Sequence, residues 1–268
     1  MKILVCADGS KRNKNSLEFA ALVAKAVNAD VTVLHVVENG VDESEEIFSE
    51  AVKIIEKKGV EKIKTRKLKG RADVQILKHA QRNKYDLVIV GSHGVQYLRA
   101  FLFGDVAVRI IEHIKTPILV IRDKRPKIRK ILFCTGGSSF AENAVRFGSN
   151  IAQTAGVKAT ILHVIPELPA MYRGFGMGES LSEFLECNTP ECIALKRAAK
   201  ILEEEGIETE VKLSHGLPSE EILVEAEGNN YDLIVLGSHG MSSPSRFLLG
   251  DVACRVVKYS KTPCLLVK

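Results

Sequence analysis

The chain repeats itself, and the repeat sets the folding problem. Shifted by 128 positions, KILVCADGS at 2–10 falls on KILFCTGGS at 130–138, and VTVLHVV at 31–37 falls on ATILHVI at 159–165. Shifted by 146, YDLVIVGSHG at 85–94 falls on YDLIVLGSHG at 231–240. That second register continues through Gly104-Asp105-Val106-Ala107 on Gly250-Asp251-Val252-Ala253, Arg109 on Arg255, and Lys115-Thr116-Pro117 on Lys261-Thr262-Pro263. The two offsets differ by 18, so the second copy carries about that many extra residues between its second and third strands. A chain of 268 residues built this way reads as two domains, 1–123 and 131–268, with a linker at 124–130 and an insertion at about 166–191.

Each copy alternates strand and helix signals. In the first, residues 2–7, 31–37, 62–68, 86–90 and 117–121 are short β-rich runs, several continuously apolar as buried parallel strands are. Apolar residues at helical spacing predict helices over 16–27, 46–58, 72–83 and 104–114 between them. The order βαβαβαβαβ predicts an α/β fold: two tandem doubly wound, five-stranded parallel-sheet domains of the Rossmann type. Such sheets bind ligands at the carboxyl ends of their strands, where the strand order reverses.

Charge narrows the function classes. The formal net charge is +5, but residues 1–123 hold 21 basic and 16 acidic residues, while 131–268 hold 12 and 17. The segment KRPKIRK at 124–130 adds five positive charges. The basicity thus belongs to one copy and a proline-bearing linker, and neither copy has the aromatic and basic interleaving of a single-strand nucleic-acid binder. No apolar run approaches the ~20 residues that span a bilayer. MKILVCADGS is too short in its apolar part for a signal peptide, and six cysteines are too dilute for a disulfide scaffold. The expectation is a reduced, cytoplasmic protein without membrane attachment.

The glycines carry the chemistry. Gly91-Ser92-His93-Gly94 follows the fourth strand and Gly104-Asp105 opens the next helix; Gly237-Ser238-His239-Gly240 and Gly250-Asp251 repeat the arrangement. Glycine lets backbone amides approach an anion, and a helix N-terminus attracts phosphate. The same residues also suit a plain turn and helix start. His93 and His239 lie inside these loops, where an imidazole could donate to a phosphate; no nucleophile or carboxylate is placed to complete a catalytic set, and no metal-ligand spacing occurs.

The G-x2-G-x9-G spacing, with Asp8 closing the first strand and a late Thr-Pro before the last, resembles the universal stress protein family across both halves. The resemblance implies binding of AMP or ATP, or in some branches no nucleotide, and pairing through the last strands, so that a tandem chain is similar to a dimer fused into one. It implies Ala7 and Asp8 beside the adenosine, Val36 and Val90 flanking the base, and Gly91, Ser92, His93, Gly94, Gly104, Asp105 and Val106 around ribose and phosphates. The second copy supplies Thr135, Gly136, Val164, Leu236, Gly237, Ser238, His239, Gly240, Gly250, Asp251 and Val252.

Two departures bear on that expectation. Asp105 and Asp251 stand where the family carries a small hydroxyl; they either cap their helices, closing the cradle, or face phosphate through a divalent cation. Gly136 stands where the first copy has Asp8, so the first site is expected to be the better adenosine site. The expected function is nucleotide-dependent sensing or regulation in a stress response, without high turnover. The alternatives are a nucleotide-free scaffold with both cradles closed, open to an unidentified protein partner or homodimer, and a slow ATP hydrolase. Ser139 and Glu142 are spaced as a capping box, Cys187-x4-Cys192 offers a redox pair, half a metal site or two incidental thiols, and His35 and His163 read as structural.

Overall fold

The computed structural model describes residues 1–10, 13–38, 42–91, 105–122, 127–166, 180–240 and 250–268. The chain forms two compact units, the first made of Met1–Ile128 with Lys261–Leu265 and the second of Arg129–Ser260 with Leu266–Lys268. No helix among the described residues is long and apolar enough to cross a membrane.

In the first unit, β1 (Lys2–Cys6), α1 (Asn13–Ala26), β2 (Asp30–Val37), α2 (Ser44–Lys57), β3 (Ile63–Lys69), α3 (Ala72–Asn83), β4 (Leu87–Gly91), α4 (Asp105–His113) and β5 (Ile118–Ile121) alternate without exception. The sheet order is β3-β2-β1-β4-β5, with every pair parallel. Ile3, Leu4 and Val5 of β1 and Leu87, Val88 and Ile89 of β4 are buried, which explains their continuously apolar sequence. The chain winds outward through β1, β2 and β3, then returns across the sheet to β4. Right-handed crossovers therefore put α1 and α2 on one face and α3 and α4 on the other, and each pair packs together. The reversal lies between β1 and β4, and the carboxyl ends of these strands diverge there to leave a crevice.

The second unit repeats the plan with β6 (Lys130–Cys134), α5 (Ser139–Ala155), β7 (Lys158–Ile165), α6 (Leu181–Glu186), α7 (Pro190–Glu204), β8 (Thr209–His215), α8 (Pro218–Gly228), β9 (Leu233–Gly237), α9 (Asp251–Tyr259) and β10 (Cys264–Val267). Its strand order is β8-β7-β6-β9-β10. The described part of the insertion forms α6 and the start of α7; residues 167–179, with Met171, Tyr172, Phe175 and Met177, lie outside the described residues. The extra residues leave the strands in place: Val31 is opposite Ile63 in the first unit, and Ala159 is opposite Thr209 in the second.

Local signals decide the helix ends. The cap of α5 is Ser138, one residue before the expected Ser139: its hydroxyl accepts from the Ala141 amide at 3.2 Å and donates to the His239 carbonyl at 2.7 Å. Glu142 turns outward instead to Arg146 at 3.0 Å. The capping box of this unit is at α6, between Ser180 and Glu183.

Asp73, buried in the first turn of α3, accepts from Arg71 at 2.7 Å and from Arg109 of α4 at 3.2 Å. The Arg71 hydrogen bond, with Arg109 adding to it, holds this carboxyl below its ordinary range. Such a group stabilises the fold above the unfolded aspartate value, near ~4, and that stability is lost as pH falls through the lowered native value. Asp73→Asn is expected to cost about 1 kcal/mol at pH 7, since both arginines are half exposed. Urea unfolding of both proteins at pH 7 and pH 3 checks it; the difference should shrink at the lower pH.

Candidate functional site

At the β1–β4 reversal of the first unit a cavity of about 330 Å³ opens. Its floor is the carboxyl ends of the two strands, Cys6, Ala7 and Asp8 from one and Val90 and Gly91 from the other. Val36 at the end of β2 forms one wall, and Val106, Ala107 and Ile110 of α4 form another. Glu38, Glu43 and Ile47 close the side toward α2. The volume lies within the range of about 300–1,000 Å³ usual for small-molecule pockets.

Backbone and side-chain bonds fix the rim. The Ala7 amide donates to the Leu34 carbonyl at 2.9 Å, and His35 Nδ1–H donates to the Ala7 carbonyl at 2.8 Å. His35 thus clamps β2 to β1, a structural task. Past Ala7 the chain turns sharply: Asp8 Oδ1 accepts the Ser10 amide at 2.9 Å, and Gly9 between them has φ +74°. A side chain at Gly9 would be strained in that conformation and would also meet Ile47. The exposed Asp8 carboxylate keeps its second oxygen without a partner among the described residues, at the edge of the cavity. Desolvation, with Asp8 adding to it, pushes the Cys6 thiol up to about 12, so it stays protonated at neutral pH.

Of the residues expected in the first site, Ala7, Asp8, Val36, Val90, Gly91 and Val106 line this one cavity. Ser92, His93, Gly94 and Gly104 lie outside the described residues, as does the side chain of Asp105, whose backbone opens α4. The sequence reading missed Glu38 and Glu43. Glu38 follows β2 directly and accepts the Ala72 amide at the start of α3 at 2.6 Å. Its place one residue beyond a strand's carboxyl end was the available signal.

The second unit builds the corresponding place differently. The Thr135 amide donates to the Leu162 carbonyl at 3.0 Å, and His163 Nδ1–H donates to the Thr135 carbonyl at 2.8 Å, the same clamp as His35. Phe184 of α6, supplied by the insertion, stacks on His163 with ring centroids 5.2 Å apart. Val164 is buried where Val36 is only half-buried, and burial pushes the His163 pKa down. Leu236 and Gly237 end β9, and Gly136 is exposed with open space around it.

The loop after β9 is tightly tied. The Ser238 hydroxyl lies 2.7 Å from His239 Nδ1, and the His239 ring packs on Phe140 at 4.9 Å. With the hydroxyl donating, the imidazole proton is on Nε2, which is buried and has no partner among the described residues. The Gly250 amide donates to the Ser238 carbonyl at 2.8 Å, and Gly250 is the cap residue of α9 with no side-chain cap bond. Asp251 and Val252 are exposed, and among the described residues Asp251 takes none of the free amides of α9. Asp251 stands in the first turn of α9, one residue after the cap residue Gly250. Gly240 is exposed, and a Cβ added there would meet no described atom within 4 Å.

Cys187 and Cys192 are both free thiols. The first sits at the end of α6 and donates to the Glu183 carbonyl; the second is buried in α7 and donates to the Leu185 carbonyl.

A sequence model of the universal stress protein family matches residues 1–122 and again residues 127–268. Universal stress protein Slr1230 of Synechocystis is 25% identical and is aligned over 98% of this chain and 98% of its own length. Universal stress protein MJ0531 of Methanocaldococcus jannaschii is 34% identical over 56% of this chain and 87% of its own length. Among solved structures, a universal stress protein from Archaeoglobus fulgidus superposes with a TM-score of 0.73 at 22% identity, covering 100% of this chain and 98% of that one.

Proposed function

The chain belongs to the universal stress protein family in both halves, and on that premise we propose that it is a nucleotide-responsive regulatory protein binding one adenine nucleotide, in its first unit. The observation that carries the reading is the 330 Å³ cavity at the β1–β4 reversal, with the Asp8 carboxylate at its edge. Val36 and Val90 offer apolar walls to the base, and the free oxygen of Asp8 can accept from a ribose hydroxyl or an amino group of adenine. Phosphates would turn toward Gly91 and the start of α4, where amides and the helix dipole favour an anion.

The acidic rim bears on which nucleotide. Asp8, Glu38 and Glu43 place three carboxylates around the cavity. Their repulsion grows with each added phosphate, so AMP is favoured over ATP unless a divalent cation screens the charges. The reading of one site per chain is supported by the second unit, where Gly136 replaces the carboxylate, Val164 is buried and Phe184 stacks on His163.

The test is to denature freshly purified protein and identify released nucleotide by mass spectrometry, followed by calorimetric titration with AMP and with ATP, with and without Mg²⁺. The expected result is one adenine nucleotide per chain, with Mg²⁺ improving ATP more than AMP. A protein that releases none and binds neither would show a scaffold instead. Conversion of ATP to ADP during titration would point to a hydrolase.

A further inference from the structure

A second cleft of the first unit, of about 520 Å³, lies on the α3 face of the sheet, between the edge strand β3 and α3. Lys64 and Arg66 reach it from alternate positions of β3, and Lys78 and Arg82 from successive turns of α3. Among the described residues no carboxylate lines it. Among the described residues none of the four cations has an ion-pair partner, although lysines on neighbouring positions do: Lys62 pairs with Asp30 at 3.5 Å and Lys67 with Asp42 at 3.0 Å. The floor is polar as well. Asn83 Nδ2 donates to the His79 carbonyl at 2.8 Å and lies 3.3 Å from His79 Nδ1, while His79 Nε2 is 3.1 Å from the Tyr85 hydroxyl. Burial, with Arg66 adding to it, pushes the His79 pKa down.

The second unit shows what the same place looks like when the chain satisfies it internally. The offset of 146 puts Glu210 at the position of Lys64, Lys212 at Arg66, Glu225 at His79 and Tyr231 at Tyr85. There Lys212 and the Tyr231 hydroxyl both donate to Glu225 Oε1, each at 2.9 Å, with Glu210 3.9 Å from Lys212. One copy thus carries its counter-charge, and the other presents cations around a cleft with none.

We propose that the β3–α3 cleft of the first unit is a binding site for the phosphate chain of a small oligophosphate. Four cations converging from two rigid elements suit a compact ligand of several negative charges, and Thr32, Thr65 and Gln75 add hydrogen-bonding groups. The volume fits a small molecule. Among the described residues lining the cleft the aromatic rings are those of His79 and Tyr85, which pack on each other with centroids 5.7 Å apart, so there is no run of open ring faces on which the bases of a nucleic acid could stack. The site is separate from the nucleotide cavity and does not depend on it.

The test is a calorimetric titration of the full chain with inorganic tripolyphosphate, repeated on variants, with NMR following the His79 imidazole signals wherever His79 is retained. The His79 signals should move on binding, and affinity should fall as salt is raised. Arg66→Glu combined with Arg82→Glu, both exposed positions, should weaken binding by at least about ten-fold. His79→Glu copies the second unit, giving Arg66 and Tyr85 the partner that Glu225 gives there, and should weaken binding comparably while keeping the fold. Asp8→Ala should leave tripolyphosphate binding unchanged, which separates this site from the nucleotide reading. ATP displacing tripolyphosphate from the His79 signals assigns the site to nucleotide tails; failure to displace assigns it to free polyphosphate. Unchanged affinity in both cleft variants, shifts at Ala7 and Gly91 instead of His79, or binding of a DNA 12-mer but not tripolyphosphate would overturn the proposal.

Discussion

Asp8→Ala is expected to weaken AMP binding by about ten- to hundred-fold, the equivalent of one charge-assisted hydrogen bond of ~1.5–3 kcal/mol. The substitution removes the one carboxylate that the tight turn after β1 holds at the cavity edge with a free oxygen. It should do little to the fold, because Asp8 is exposed and its one described bond is local, to the Ser10 amide. Calorimetric titration measures the loss, with thermal unfolding as the control. Equal affinity of variant and wild type would remove Asp8 from the site. The converse change, Gly136→Asp, has room for its side chain. It should nevertheless leave the stoichiometry at one, because Phe184 and the burial of Val164 remain.

Gly237→Ala is expected to destabilise the second unit by about 3 kcal/mol, at the upper end of overpacking costs. A Cβ at this position would lie 2.6 Å from both the Ala141 nitrogen and the Phe140 carbonyl carbon. Both are backbone atoms in the first turn of α5, held by the Ser138 cap and its bond to the His239 carbonyl. A side chain could swing aside, whereas this turn cannot yield without losing its cap. The repeat supplies the control: at Gly91 the nearest atom to an added Cβ is the Ser16 hydroxyl at 3.4 Å, ordinary contact. Gly91→Ala should cost under about 1 kcal/mol. Urea unfolding of both variants, read by a probe in each unit, distinguishes them. Equal losses would mean that α5 adjusts more freely than its bonds suggest.

The sequence disclosed most of the fold because its strongest signal was duplicated. The runs KILVC and KILFC each become a strand beside a second and a fourth, and those pairings place Asp8 and Gly91 at the same reversal. What stayed hidden depended on which side of an element a residue faces. Glu43 lines the cavity from the position just before α2, which no spacing records, whereas Glu38 was legible only from its place directly after β2. Ser138 rather than Ser139 caps α5 because its backbone is extended and its hydroxyl accepts the Ala141 amide, while Ser139 is already the first helical residue. Charge counting found a basic first copy and an acidic second. It could not locate the difference at Lys64, Arg66 and His79 against Glu210, Lys212 and Glu225 until β3 and α3 were seen to share one cleft. The aspartates opening α4 and α9 read as caps by residue type, yet the cap of α9 is Gly250.

The preserved register around the insertion has a practical meaning for biosensor construction. The second copy lengthens the connection between its second and third strands, and Ala159 still meets Thr209 as Val31 meets Ile63. The crossover after a second strand is thus a splice point, where a foreign domain can enter without displacing a paired residue. In the first unit that crossover carries Glu43 and Ile47 past the cavity at the β1–β4 reversal. A circularly permuted fluorescent domain spliced there would stand within a few residues of that cavity, where occupancy by the proposed nucleotide would be converted into light.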